Sequence, residues 1–443
     1  MLLPDSFRPR PLPQLPDEVL MEIFQFATYV HECESILPLD PLIPKRASHN
    51  ALGPNTPATA LRTKCALVLV NHEWRQVAMS LLYRHLVVRS PSRAARILLS
   101  LESRFPTPGA ASDNPLPTKY GRFTRHLEIY THFRGSDKID FLRTLCSIIQ
   151  NCPNLRIISG SWMYPLPVGF LETLSHMCGS TLQGISWSST CADFTGLSRF
   201  FFAFQTLRVL DISGIILSSQ QMHSQTPFSL PSVQDLVLST RADNLSFATL
   251  ISMPQLQNLV LRVVEGSSSD QMNTFLEAHS DSLRTVHIQP PLALESGHLK
   301  PSHDFHLPFL ACPHLETATF HVNHTPTFQH PSLRCVCLQG VRMSEGLEAR
   351  STHMFPDNFS NNTNECLTTL LNISLYPCLE TVRAVDYLVE ADNHVTSMDL
   401  FIQWSEKFEN RGVDFQDGSG IVWMYTEVLN NDEAPKSEAT RLG

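Results

Sequence analysis

One six-residue phrase, apolar-x-x-apolar-x-apolar, recurs along this chain and leaves few folds open to it. It reads Leu182-Ile185-Trp187, Leu207-Leu210-Ile212, Val233-Leu236-Leu238, Leu256-Leu259-Leu261, Leu283-Val286-Ile288, Leu315-Ala318-Phe320, Leu333-Val336-Leu338 and Leu379-Val382-Ala384. Weaker versions lie upstream, around Leu127-Ile129 and Leu155-Ile158. Counted from Leu155, the first members are 27, 25, 26, 23 and 27 residues apart as far as Leu283, and then 32, 18 and 46. A unit of that length holds one strand and one helix. It cannot bury its own apolar face, but stacked copies bury a continuous core. Proline stands two residues before the strand anchor in "CPNL", "LPSV", "MPQL" and "CPHL". There it stops the preceding helix and turns the chain into the strand. Between strands, "FLRTLCSIIQNC", "GFLETLSHMCG" and "DQMNTFLEAHS" read as helices.

The period breaks at about residues 342–372, where the polar, Asn-rich "MFPDNFSNNTNECL" reads as an inserted loop. After the Leu379 repeat, "SMDLFIQWSEKFENRG" predicts a helix with Phe401, Trp404, Ser405 and Phe408 on one face and Gly412 as its stop. "VDFQDGSGIVWMY" alternates around an Asp-Gly turn and predicts a closing hairpin that caps the open end of the sheet. Residues 430–443 read as a frayed polar tail.

A different pattern precedes the repeats. In "LPDEVLMEIFQFA", residues 15–27, Pro16 opens a helix, Asp17 and Glu18 face its positive end, and Val19, Leu20, Ile23, Phe24 and Ala27 make an apolar stripe. A helix this short must pack against something to persist in water. Prolines 38, 41, 44, 54 and 57 then mark a loop over about residues 31–60. Order resumes in "ALRTKCALVLVNHEWRQVAMSLLYRHLVV". Leu67 to Val70 reads as a buried helical segment, Asn71 as a cap, Trp74, Val77, Ala78, Leu81 and Leu82 as one helical face, and Leu86 to Val88 as extended chain. Residues 90–104 read as a further helix capped by Ser90 or Ser92, and 105–118 as a turn-rich connector.

Leu15, Pro16, Glu18, Leu20, Ile23, Phe24, Leu67, Val70, Asn71, Trp74, Arg75, Ala78, Leu81, Tyr83 and Arg84 together resemble an F-box, in the form common in fungal F-box proteins. The sequence departs from that pattern in its long insertion and in Asn71, where the family often has Cys. The repeats in turn resemble divergent leucine-rich repeats. Of the positions eight residues after each anchor, where regular members carry Asn or Cys, only Asn323 fits. The expected architecture is therefore α/β: a three-helix F-box-like module (11–88), a connecting helix and linker (89–118), a leucine-rich-repeat-like solenoid with a C-terminal cap (119–429) and a tail (430–443).

The resemblance implies a substrate-recognition subunit of a Skp–cullin–F-box type ubiquitin ligase. Its adaptor contacts would be Leu15, Pro16, Glu18, Leu20, Ile23, Phe24, Val70, Trp74 and Leu81, and an unidentified target protein would lie on the repeats. Asp211, Val237, Val260, His287 and Thr319, one per strand between buried anchors, are the expected exposed target contacts. The alternative is a repeat scaffold or ligand-sensing module with a degenerate box and no ligase role.

Composition agrees with a binding protein. Of 443 residues, 18 are Gly and 31 Pro, which disfavours glycine-rich phosphate loops, and no phosphate-loop, dinucleotide, nucleophile-elbow or His-Glu-x-x-His motif occurs. The net charge is −9 with no basic stripe, against nucleic acid as a partner. His321 and His324 fall on opposite faces of a strand, a poor arrangement for sharing a metal. No cofactor, metal or catalytic residue is expected. No apolar run suits a membrane span, the N-terminus does not read as a secretory signal, and the 11 cysteines have no Cys-x-x-Cys pair. A cytoplasmic or nuclear location with reduced thiols is expected, in which the five Asn-x-Ser/Thr triplets carry no glycan.

Overall fold

In the computed structural model each recurrence of the phrase becomes a strand, and each of these strands pairs with the strand of the next repeat. The structure describes residues 15–30, 55–102, 120–130, 138–192, 194–217, 227–264, 269–289, 312–322, 329–341, 343, 358–391, 395–426 and 438–442. Among them, one 14-stranded sheet runs in the order β1 (His85–Val88), β2 (His126–Tyr130), β3 (Ile157–Trp162), β4 (Gly184–Ala192), β5 (Val209–Leu217), β7 (Asp235–Ser239), β9 (Asn258–Arg262), β10 (Thr285–Gln289), β11 (Thr317–His321), β12 (Cys335–Gln339), β13 (Thr381–Ala384), β14 (Asp414–Gln416), β15 (Val422–Thr426) and β16 (Glu438–Leu442). Neighbours are parallel from β1 to β14 and antiparallel from β14 to β16. Two short strands, β6 (Phe228–Ser229) and β8 (Ile251–Ser252), pair separately.

Among the described residues the α-helices are α1 (Asp17–Ala27), α2 (Pro57–Val70), α3 (His72–Arg84), α4 (Pro91–Glu102), α5 (Lys138–Gln150), α6 (Val168–Cys178), α7 (Phe194–Phe202), α8 (Ala242–Thr249), α9 (Ser269–His279), α10 (Asn358–Leu370) and α11 (Val395–Glu409). None of them is long and apolar enough to cross a membrane.

Side chains alternate along a strand, so the two last members of each phrase share a face. Ile185, Trp187, Leu210, Ile212, Phe320 and Leu338 are all buried there, in one core that continues from Leu86 to Trp423. The proline openers are tight turns. The anchor N–H of Leu155, Leu256 and Leu315 donates to the carbonyl of Cys152, Met253 and Cys312 at 3.1 Å in each case. Proline thus occupies the second turn position, whose φ its ring already fixes. Leu86 to Val88 is the expected extended segment, and the Asp-Gly region is the expected antiparallel return.

Three expectations change. Helix α2 begins at Pro57, inside the stretch read as a loop, because Thr56 and Thr59 cap it reciprocally. Residues 31–54 of that stretch, like the connector at 105–118, lie outside the described residues. Helix α10 occupies the end of the expected 342–372 insertion; its Cys366, Leu367 and Leu370 enter the core, a short apolar stripe masked by polar neighbours. The expected tail contains β16, which pairs with β15 from Glu438 to Leu442. Backbone pairing needs no apolar side chain, and β15 would otherwise be a bare edge.

Burial within this core has one pH consequence. His279, on the last turn of α9, is 7% exposed and packs against Phe275 with ring centroids 4.8 Å apart. Burial lowers its imidazole from the usual 6.5 to about 4. A depressed histidine favours the unfolded state once that state takes up a proton, so stability falls as the pH drops from 6.5 towards 4. The loss is at most about 3 kcal/mol, at roughly 1.4 kcal/mol per pH unit. Urea unfolding of His279→Gln at pH 7 and pH 4.5 is expected to show a smaller drop between the two than the unmodified chain; an equal drop would remove His279 as the cause.

Candidate functional site

The first candidate surface is made by α1 and α2. Helix α1 is apolar on two sides. Leu20 and Phe24 point inward and form a small core with Val77, Ala78 and Leu81 of α3, separate from the core under the sheet. Trp74 closes this cluster, its ring centroid 4.9 Å from that of Phe24. Asn71 caps α3 by accepting from the Trp74 N–H at 2.8 Å, as expected. The other side of α1 carries Val19, Ile23 and Phe26, with Leu15 just ahead of the helix, all exposed, and Phe26 at 87%.

Helix α2 has a single buried residue, Ala60, although it ends in Ala66-Leu67-Val68-Leu69-Val70. Leu61, Cys65 and Leu69 lie four residues apart on one exposed stripe. This corrects the reading of Leu67 to Val70 as buried: Leu69 is 82% and Val70 55% exposed. Leu67 and Val68 rest against the small core that α1 and α3 share, while the stripe of Leu61, Cys65 and Leu69 stays open to solvent.

The nine expected adaptor contacts therefore divide. Leu15, Pro16, Glu18, Ile23 and Val70 are exposed; Leu20, Phe24 and Leu81 are buried inside the three-helix unit, and Trp74 is half-buried against them. Three helices of this size need some apolar residues for their own core, and these are the ones they use. Phe26, Leu61 and Leu69 were missed, although Val19, Ile23 and Phe26 follow helical spacing and mark a second stripe on α1.

The second candidate surface is the sheet face opposite the main core. The register aligns Ser159, Ser186, Asp211, Val237, Val260, His287, Thr319, Cys337 and Arg383 in one row across nine strands. Asp211, Val237, Val260, His287 and Thr319 are buried, from 9% exposure for Asp211 to 0% for Thr319. The expectation that they are exposed is corrected. Parallel strands lie about 4.8 Å apart, so each side chain in this row is flanked by neighbours in register and by residues two positions away on its own strand.

Asp211 shows how tight that row is. Its carboxylate accepts from Ser213 N–H (3.0 Å), Ser213 Oγ (2.7 Å), Ser186 Oγ (3.3 Å) and Arg262 Nη2 (3.4 Å). Asp211→Ala is expected to cost about 1–3 kcal/mol in urea unfolding rather than the few tenths of a truly exposed site; an unchanged midpoint would return this residue to the surface. Exposed side chains of the same face include Tyr130, Arg262 and Asp414, and Ser159, Ser186, Ser213 and Gln289 are among those partly open.

At the β1 edge of this face, His85 Nε2 lies 3.0 Å from Glu128, and the His85 ring stacks on that of His126 with centroids 4.3 Å apart. His126 Nε2 lies 2.7 Å from Ser159 Oγ, and Tyr130 donates to Glu128. Burial by itself would raise the Glu128 carboxyl. Hydrogen bonds from His85 and Tyr130, then the electrostatic pull of His85 and His126, outweigh it and hold the group at about 2. The cluster is a fixed polar patch built from three strands.

No family model matches this sequence, and no curated protein matches it.

Proposed function

We propose that this chain is the substrate-recognition subunit of a Skp–cullin–F-box type ubiquitin ligase. In this reading α1, α2 and α3 are an F-box-like module, and the repeated strand–helix units are a leucine-rich-repeat-like solenoid. The observation that carries the proposal is the apolar surface of α1 and α2: Ile23, Phe26, Leu69 and Val70 remain outside the core that Leu20 and Phe24 build. Such a surface suits permanent cover by a partner protein. The solenoid reading is supported by the order of the main sheet, in which each strand pairs with the strand of the following repeat, over one unbroken core.

The chain itself would carry no catalytic residue. It would bind the Skp-type adaptor through the module and a target protein through the solenoid, with ubiquitin transfer performed by partner subunits in the cytoplasm or nucleus; the contribution is proximity and orientation. Since Asp211, Val237, Val260, His287 and Thr319 are packed, target contact falls to the more open positions of the same face, Tyr130 and Arg262 among them. The test is co-expression of the full chain with a Skp-type adaptor. Co-elution as a one-to-one complex is the expected result, and a folded chain that elutes apart from the adaptor overturns the proposal.

A further inference from the structure

The residue just before each strand forms a row of its own, and that row changes character along the sheet. Its members are joined by backbone hydrogen bonds: Arg125 N–H to the Arg84 carbonyl (2.9 Å), Arg156 to Arg125 (2.9 Å), Gln183 to Arg156 (2.7 Å) and Arg208 to Gln183 (2.8 Å). The row continues through Gln234, Gln257, Arg284, Glu316, Arg334 and Glu380. From Arg284 onward arginines alternate with carboxylates, and the charges meet: Arg284 lies 3.9 Å from Glu316 and Arg334 3.4 Å from Glu380. In the first half the same position holds Arg84, Arg125, Arg156 and Arg208, with one glutamine between them and no carboxylate. Adjacent strands are about 4.8 Å apart, so like charges are stacked where opposite charges are stacked further along.

These four arginines line one cavity of about 520 Å³ between α1, α3 and the first strands of the sheet. None of the described residues lining it is Asp or Glu. The acidic groups of the adjoining face are engaged already: Glu128 with His85 and Tyr130, and Asp235 with Asn258 Nδ2 at 2.7 Å. Arg125 donates to the Asn154 carbonyl, a neutral partner, at 3.1 Å, and burial followed by the charges of Arg156 and Arg84 lowers its guanidinium below the usual value. Part of the wall is apolar, through Met21, Leu81, Phe123 and Ile157.

We propose that this cavity is a binding site for an organic molecule carrying two or more phosphate groups. Guanidinium forks bind phosphate oxygens in pairs, which a single carboxylate cannot satisfy across four arginines. The row from Arg84 to Arg208 spans four strand spacings, roughly 19 Å, more than one phosphate can bridge. The volume lies in the range of small-ligand sites, and the apolar wall takes the non-ionic part. The site stands independently of the adaptor reading, since it uses neither Ile23 nor Phe26.

The probe is inorganic tripolyphosphate, titrated calorimetrically into the full chain at low salt. Saturable binding is expected, weakened at least tenfold by Arg156→Gln with Arg208→Gln. Both side chains are exposed, so this variant should fold, and its melting temperature without ligand should equal or exceed that of the unmodified chain. The control is Arg284→Gln with Arg334→Gln, the same row position beside Glu316 and Glu380, which should bind as before. Absence of saturable binding overturns the proposal. Equal loss in both variants overturns it too, because the binding is then diffuse. Polyglutamate that binds as tightly as tripolyphosphate overturns it in favour of an acidic polypeptide site.

Discussion

Aspartate at both Ile23 and Phe26 is expected to abolish capture of a Skp-type adaptor by the full chain without changing how the chain melts. The two side chains are 48% and 87% exposed and belong to neither apolar core, so their removal costs the fold little. At a partner interface the account reverses. Buried central anchors contribute about 2–4 kcal/mol each, and a carboxylate forced into the same place adds the cost of stripping its water. Two anchors at the lower figure already amount to roughly a thousandfold in affinity. Leu20→Ala and Phe24→Ala should behave differently. These residues are 6% and 1% exposed inside the three-helix core, and truncating them should cost about 2–5 kcal/mol of stability. Adaptor capture would then fail because the module loosens, which circular dichroism and melting detect. If a folded Ile23→Asp, Phe26→Asp protein still captures the adaptor, the adaptor reading is wrong. If that protein melts early, the outward stripe of α1 is packed after all.

The contrast between these two stripes shows what was legible in the sequence. Periodicity alone places Leu20, Ile23 and Phe24 on a helix, but it cannot say which of two apolar stripes meets α3 and which meets water. That choice depends on where Val77, Ala78 and Leu81 arrive from about sixty residues away. The strands were legible for a simpler reason: each phrase carries its own burial code, and Trp187, Leu210 and Phe320 obey it without reference to distant chain. The face opposite was misread because alternation distinguishes two faces, not a buried face from an open one. His287 and Thr319 alternate as exposed residues would, yet neighbouring strands enclose them at 3% and 0% exposure. The arginine row escaped notice because Arg84, Arg125, Arg156 and Arg208 are dispersed in sequence, and only strand register stacks them.

Asp417→Ala is expected to destabilise the C-terminal end of the sheet by about 3–6 kcal/mol, because the carboxylate there holds several buried donors at once. Asp417 is 1% exposed. Its Oδ1 accepts from Ser419 N–H (2.9 Å), Ser419 Oγ (2.6 Å) and Ile421 N–H (3.1 Å), and its Oδ2 from Trp423 Nε1 (3.1 Å) and Val389 N–H (3.4 Å). The sequence marks this place as an Asp-Gly turn, and a turn it is, but the positive φ of 83° belongs to Gly420 and the side chain of Asp417 organises the loop. Alanine leaves the Trp423, Ile421 and Val389 donors buried without that acceptor. Asparagine restores one oxygen and turns its amide NH2 towards the N–H groups of Trp423 Nε1 and Val389, two donors facing a donor, so it should recover only part of the loss. Urea unfolding followed by tryptophan fluorescence separates the three proteins, and an alanine variant with an unchanged midpoint would show that the turn holds without the carboxylate. The position matters because β14 is where a parallel sheet ends in an antiparallel return. Without that pin β15 and β16 lose their anchor, the edge of β14 is bared, and a sheet that elsewhere covers each strand with its neighbour becomes open to pairing with another chain.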